Sequence, residues 1–349
     1  MPIAGATVPL NTAEGEDKIT ITEKVTSPYF SDGNTELLAA NIVSGTLSDT
    51  NETYYYSIAN SSSPTTPEFH VAFGSVNGYG SDDDANAIKA PTEAVYNQWA
   101  SLLLPANEVT GGFIISDNGS AGLVTGRDPE IYVLVGARAR QKDRLNKKNW
   151  TIFLTGSNGV SVGANTRLVL TDDSANDNPT STPAGDRYNI VSGSDGTISG
   201  SGASYKTYGF YYPDQGVMVF SAQELSASIP GAGLAASSSA AVTFKGVGAM
   251  GLGYCTDVDK DLNTALGFVN CLTNPGAKLK FRDEEDQVSV QYFCRIKSGQ
   301  MNFSNNPTFV SGSLNELRQT TMKGNPTTFI TSVQLYNAAG DIVAVGNLS

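Results

Sequence analysis

The sequence predicts a mainly β protein: sandwich-like antiparallel sheets with one or two short helices and long polar loops. Three observations predict it. Short runs of aromatic and β-branched residues recur along the chain, each bounded by Gly, Pro, Ser or Asn. Charged residues make up only 16% of the 349 positions while Gly alone supplies 36, so hydroxyls, amides and exposed backbone must solvate the surface, as they do in strand-and-loop proteins. Apolar residues at helical spacing are confined to two stretches.

Residues 1–50 mix Pro, Thr, Gly and Asp with brief apolar runs such as Ile19–Thr22 and Leu37–Ala40. They read either as an N-terminal arm that crosses to a neighbouring subunit or as first strands tucked against their own domain. A β-rich main domain follows over 51–272. Tyr54–Ala59 and Glu68–Gly74 are strand-like, and Asn77–Asp84 is a polar loop. Pro91–Leu104 then places Val95, Trp99, Leu102 and Leu103 on one helical face, with Pro91 and Thr92 at its start and Pro105 at its end. Gly112–Ser116, Glu130–Val135 and Trp150–Gly156 resume the strand pattern.

Residues 156–206 are rich in Gly, Ser, Asp and Asn, with brief apolar runs at Leu168–Leu170 and Tyr188–Val191, and read as looped-out hairpins or a small loop-rich insertion. Strand signals return at Tyr208–Tyr212, Gly216–Phe220 and Ala241–Phe244, and Val258, Leu262, Leu266 and Val269 suggest a second short helix within 257–272. The remainder, 273–349, forms a C-terminal β module of Lys278–Phe281, Val288–Ile296, Thr328–Tyr336 and Ile342–Val345. Asn337–Asp341 turns the last two into a hairpin.

The formal charge of −12 repels phosphate backbones, so no nucleic-acid partner is expected. No basic segment followed by an apolar core opens the sequence, and no apolar run is long enough to cross a bilayer, so neither a secretory leader nor a membrane partner is expected. The three cysteines, Cys255, Cys271 and Cys294, are widely spaced without a CxxC pair and read as reduced, packed thiols. Cys294 alternates with Val290, Tyr292 and Ile296 on what reads as a core-facing strand surface.

Reaction chemistry is sparse. His70 is the single histidine, so any Ser-His or Cys-His arrangement must use it, and no GxSxG elbow accompanies it. Asp82–Asp84 and Asp172–Asp173 lie in loop-like stretches where solvated acids are expected. Asp257, Asp259 and Asp261 imitate the first ligands of a calcium loop, but Leu262 occupies the turn position that requires Gly and Phe268 that of the bidentate Glu. No phosphate-cradling GxxxxGK[ST] loop is present. The expectation is therefore no catalytic residue, no cofactor and no metal.

The most uneven charge feature is a basic connection, in which Arg138, Arg140, Lys142, Arg144, Lys147 and Lys148 stand against one acid, Asp143. It reads as a docking patch for an acidic partner or another copy of the chain, or equally as a solvated turn between strands.

The C-terminal sequence carries the most specific signal. Phe303-Ser-Asn-Asn-Pro-Thr-Phe309 and Pro326-Thr-Thr-Phe-Ile-Thr-Ser-Val-Gln-Leu-Tyr-Asn337 resemble a segment of virion structural proteins of contractile-tailed, T-even-like bacteriophages, especially those of marine and cyanobacterial hosts. Gln334 departs from that pattern, where Gly is expected, and so does Gly346-Asn347, where Ala-Lys is expected. The stretch from Phe69 to Trp99 is loosely similar to a baseplate wedge subunit, and Ile131–Gly156 also looks like these phage proteins.

The resemblance implies a non-enzymatic structural subunit of a tail or baseplate. Such a subunit would be assembled in the host cytoplasm, present in several copies or as a homo-oligomer, and bound to other virion proteins. Neck, collar or head-decoration positions are alternatives in the same class. Candidate contact residues are the basic connection together with Phe303, Asn305, Asn306, Pro307 and Phe309; the Asn-Pro steps at 306–307 and 325–326 hold the preceding residue extended and aim the loops. Two rivals from other classes are a carbohydrate-binding fibre module using Tyr54–Tyr56 or Phe210–Tyr212, and a glycan hydrolase using a carboxylate pair.

Overall fold

A computed structural model describes residues 18–26, 37–38, 41–45, 55–59, 66–78, 91–115, 126–139, 141–155, 167–199, 206–228, 264–273, 277–293, 308–311, 316–327 and 329–348. The expected strand Ala241–Phe244 lies outside them. Two compact units divide the chain: a body over 24–287, and a smaller unit that combines 1–23 with 288–349.

In chain order the strands begin with β1 (Lys18–Thr26), β2 (Leu37–Leu38), β3 (Asn41–Gly45), β4 (Tyr55–Ala59) and β5 (Pro67–Ser75). After helix α1 (Pro91–Leu103) come β6 (Glu130–Gly136), β7 (Arg144–Leu145), β8 (Thr151–Thr155), β9 (Arg167–Asp172), β10 (Thr180–Thr182), β11 (Gly185–Ser194), β12 (Thr197–Ile198), β13 (Thr207–Tyr212) and β14 (Val217–Ser221). Helices α2 (Ala222–Ser228) and α3 (Thr264–Thr273) precede β15 (Lys278–Lys280), β16 (Asp283–Tyr292), β17 (Val310–Ser311), β18 (Glu316–Leu317), β19 (Ser332–Tyr336) and β20 (Ile342–Asn347). The chain is mainly β, as the sequence predicts.

The body is built on one 13-stranded sheet in the order β2-β15-β8-β9-β11-β13-β14-β6-β5-β4-β3, with β10 and β12 as side ribbons on β11. The two ends of that order, β2 and β3, are neighbours in sequence. Three peptide steps separate Leu38 from Asn41 and span at most about 11 Å. The sheet must therefore curl until its edges approach, giving two facing layers around an enclosed core.

That core draws on almost every strand: Ile58, Val71, Tyr132, Leu134, Ile152, Leu154, Leu170, Ile190, Met218, Phe220 and Leu279 point into it. Large rings fill its centre. Trp150 stacks on Phe281 at 5.5 Å and 10°, Phe281 meets Phe69 at 4.9 Å, and Phe268 of α3 stacks on Tyr132 at 4.9 Å and 17°. Cys271 is packed beside them as a free, buried thiol, and burial pushes its ionisation up to about 12. Cys255 and Cys294 lie outside the described residues.

The other face of β6, β13 and β14 is covered as well. Ile131, Val133, Phe210, Tyr212, Val217 and Val219 form a second cluster with Tyr96, Ala100, Leu103 and Leu104 of α1 and the segment after it. Strands buried on both faces read as continuous apolar runs, which is why Glu130–Val135 and Gly216–Phe220 show no alternation. Helix α1 approaches β5 closely at Gly74, where a Cβ would stand 3.0 Å from the backbone of Tyr96.

Several expectations change. The buried face of α1 is Thr92, Tyr96, Ala100 and Leu103, while Leu102 is exposed and Trp99 half-buried. The polar-looking Tyr96 is central because its hydroxyl donates to the Asp128 carbonyl at 2.9 Å and accepts from the Phe113 amide at 3.0 Å. Gly112–Ile115 is not a strand, although Phe113 and Ile115 are buried and Ile114 is exposed in strand-like alternation. The stretch read as a loop-rich insertion supplies β9 and β11, which are internal strands of the sheet. Helix α2 has no counterpart in the sequence reading. The second expected helix is α3, which starts at Thr264.

Replacing Phe268 with Ala should lower unfolding free energy by about 3–5 kcal/mol, because an enclosed core collapses poorly around a lost ring. Urea titration followed by tryptophan fluorescence, with Trp150 buried in the same core, measures it.

Candidate interaction surfaces

The basic connection runs over 138–148 and contains β7. Arg144 pairs with Glu284 at 3.0 Å, with Asp286, and with Asp214 at 3.7 Å, while Lys142 meets Glu285 at 2.7 Å. Strand β16 supplies three of these acids because Asp283 and Glu284 pair in register with Leu145 and Arg144. The Asp286 amide donates to the Asp143 carboxylate at 2.8 Å, and Lys24 reaches Glu284 at 3.4 Å. Glu284 itself is buried and accepts from Asn146 at 2.5 Å.

The rest of the connection is held locally. Lys147 donates to the Tyr188 hydroxyl at 3.0 Å and lies 5.0 Å from that ring. Lys148 adopts φ +67° and donates its amide to Asp172 at 3.0 Å. Exposed Arg138 donates to the Asp143 carbonyl at 3.0 Å, and Arg140 lies outside the described residues. Two cations of the positive run, Lys142 and Arg144, are thus met by the acidic run Asp283-Glu284-Glu285-Asp286 of the same chain. Sequence reasoning passed over that acidic run; its signal was four successive acids opening an otherwise β-patterned stretch.

The other expected chemistry is also located. His70 sits in β5 opposite Ser57, with Nδ1 2.9 Å from the Ser57 hydroxyl, and burial lowers its proton affinity. Burial thus favours the neutral imidazole, which pairs with Ser57 across the two strands. Asp172 and Asp173, expected as solvated loop acids, are buried. Asp172 accepts from Lys148 and Ser174, and Asp173 accepts from the amide and side chain of Asn189 at 2.9 and 2.7 Å. Desolvation raises both acids above the usual carboxylate range.

Asp128 is raised to about 6, chiefly by burial, despite accepting from Ser221 at 2.5 Å and Ile115 at 2.7 Å. No group of three or more potential metal ligands is gathered among the described residues; Asp82–Asp84, Asp257, Asp259 and Asp261 lie outside them. The aromatic residues considered for sugar stacking are poorly placed for it. Tyr56, Phe210, Tyr211 and Tyr212 are buried and Tyr55 is half-buried, while Tyr54 lies outside the described residues.

The C-terminal unit has the opposite character. Strands β19 and β20 pair from Ser332↔Asn347 to Tyr336↔Ile342, and Leu348 donates to the Thr331 carbonyl at 2.8 Å. The turn is fixed by Gly340 at φ +88° and by Asn337, which exchanges side-chain bonds with Asp341 at 2.8 and 3.0 Å. Nine large apolar side chains from Phe329 to Leu348 are exposed, between 46% for Val333 and 86% for Phe329. Val290 and Tyr292, expected to face a core with Cys294, are exposed too, together with Val288 and Phe293. Their alternation marks an exposed face among the described residues. Of the second group of candidate contacts, Phe309 is half-buried and its carbonyl accepts from Arg318 at 2.9 Å; Phe303, Asn305, Asn306 and Pro307 lie outside the described residues.

Comparison with protein-family models, with curated proteins and with solved structures finds no match.

Two outcomes are expected. Arg144→Ala should destabilise the body by about 1–2 kcal/mol, since it strips a partner from buried Glu284, whereas Arg138→Ala should stay within about 0.5 kcal/mol; chemical denaturation distinguishes them. For Asp128, the unfolded carboxyl binds its proton near 3.8 and the folded one near 6. Its contribution is therefore full below about 4 and is lost as pH rises through about 6. Asp128→Asn should remove about 2–3 kcal/mol from the fall in stability between pH 4 and 7, read from urea midpoints across that range.

Proposed function

We propose that this chain is a non-enzymatic structural subunit of a bacteriophage virion, a tail or baseplate component whose work is protein–protein contact. The observation that carries the reading is the apolar hairpin β19–β20. A two-stranded ribbon is marginal in water on its own, and contiguous exposed apolar surface of this extent marks an interaction site. The segment concerned is the one whose sequence resembles contractile-tail virion proteins.

The body supports the same reading from the other direction. Its uneven charges are met internally and its aromatic residues fill the core, which suits a rigid support that presents a sticky module. Many modest contacts of this kind add up to a durable particle.

The test is direct. Quantitative mass spectrometry of gradient-purified particles should find the chain in a fixed ratio to the other tail proteins, and immunogold labelling should place it at the tail end distal to the head. Labelling at the neck, collar or head would move it within the structural class. Absence from finished particles would overturn the proposal.

A further inference from the structure

We propose that the carboxamide of Gln141 binds one water molecule in a small cavity between the basic connection and the body sheet, as a built-in joint of the fold. The inference stands apart from the particle-subunit reading, and its test leaves that reading untouched. Gln141 closes a turn in which its amide donates to the Ala137 carbonyl at 3.1 Å, while the Ala137 amide donates to the Glu68 carbonyl at 2.8 Å. The turn sends the side chain inward, and Gln141 is only 9% exposed.

Two glycines make room for it. Gly136 ends β6 and Gly216 precedes β14, and the Gly136 amide donates to the Gly216 carbonyl at 2.9 Å. The carboxamide lies against both: a Cβ built at Gly136 would fall 1.1 Å from Nε2, and one built at Gly216 would fall 2.0 Å from Oε1. So placed, neither Nε2 nor Oε1 meets a hydrogen-bonding partner among the described residues. A buried donor and acceptor in that condition are costly, and nearly all such groups in folded proteins bond to protein or to ordered water.

A cavity of about 20 Å³ adjoins the carboxamide. One water needs roughly 10–15 Å³, so the space admits a water and excludes any organic ligand. Phe69, Leu145 and Phe281 form its apolar walls, and Glu68, Arg282 and Asp283 add polar atoms. Chemistry narrows the occupant further. A carboxamide offers a donor and an acceptor side by side, and water answers both, whereas a cation would engage Oε1 alone and an anion Nε2 alone. The walls carry two carboxylates and a guanidinium, so no field of one sign selects an ion. Held there, the water links the turn that opens the basic connection to the polar wall supplied by β5 and the start of β16.

A high-resolution crystal structure of the full-length chain should show one ordered water in this cavity, within about 3.2 Å of the Gln141 carboxamide. Gln141→Met keeps an unbranched side chain that fits between the two glycines but removes the donor and the acceptor. Its urea midpoint should fall below that of the native chain, since the water loses both bonds. A carboxamide with no partner implies the opposite, because exchanging such a group for an apolar one of similar shape is neutral or stabilising. The inference is overturned by a cavity without ordered density, by an ion within it, by a carboxamide turned onto a protein partner, or by a Gln141→Met midpoint that stays put or rises. The crystallographic arm uses the native chain, so it decides the matter even where Gln141→Met fails to fold.

Discussion

The body depends on one constraint: a sheet whose first two strands lie at its opposite edges has to curl, and a curled sheet has an inside that must be filled. Small aliphatic side chains alone would leave it hollow. Trp150, Phe281 and Phe69 fill one part, and Phe268, Tyr132 and Phe220 fill another. Helix α3 contributes because it carries Phe268 into that space. Helix α1 serves the outer face, where Tyr96 ties the backbone at Phe113 and Asp128 to the back of the sheet. Interior packing at crystal-like density makes this unit stiff.

Electrostatics follow the same inward logic. The basic stretch around β7 and the acidic opening of β16 pair in register, so the largest local fields of opposite sign cancel where they arise. Buried acids elsewhere take part as hydrogen-bond acceptors for backbone turns: Asp172 holds the left-handed Lys148, and Asp173 holds Asn189. Their raised proton affinities record chiefly the cost of that burial, with repulsion from Asp177 and Asp172 adding to it at Asp173.

Strands were legible in the sequence wherever composition and punctuation agreed, as at Glu130–Val135, Tyr208–Tyr212 and the final hairpin with its Asn337–Gly340 turn. What escaped was set by long-range pairing. Leu168–Leu170 and Tyr188–Val191 looked too short and too surrounded by Gly and Ser to matter, yet neighbours on both sides make them internal strands. Asp172 and Asp173 looked solvated because burial of an acid is decided by distant partners such as Lys148 and Asn189. The same holds for the basic connection: its acids lie on β16, more than a hundred residues further along. The apolar alternation from Val288 to Tyr292 and through β19 and β20 was visible, but sequence alone could not show that those described side chains are exposed.

The position of β2 in the sheet order has a consequence for how the chain is made. Leu38 pairs with Lys278, and β15 in turn joins β8. The earliest edge of the body leaves the ribosome long before the strand that completes it exists, and such distant pairings slow folding and lengthen the exposure of sticky intermediates. Synthesis rate and chaperone supply, more than final stability, should govern how much native protein a cell accumulates.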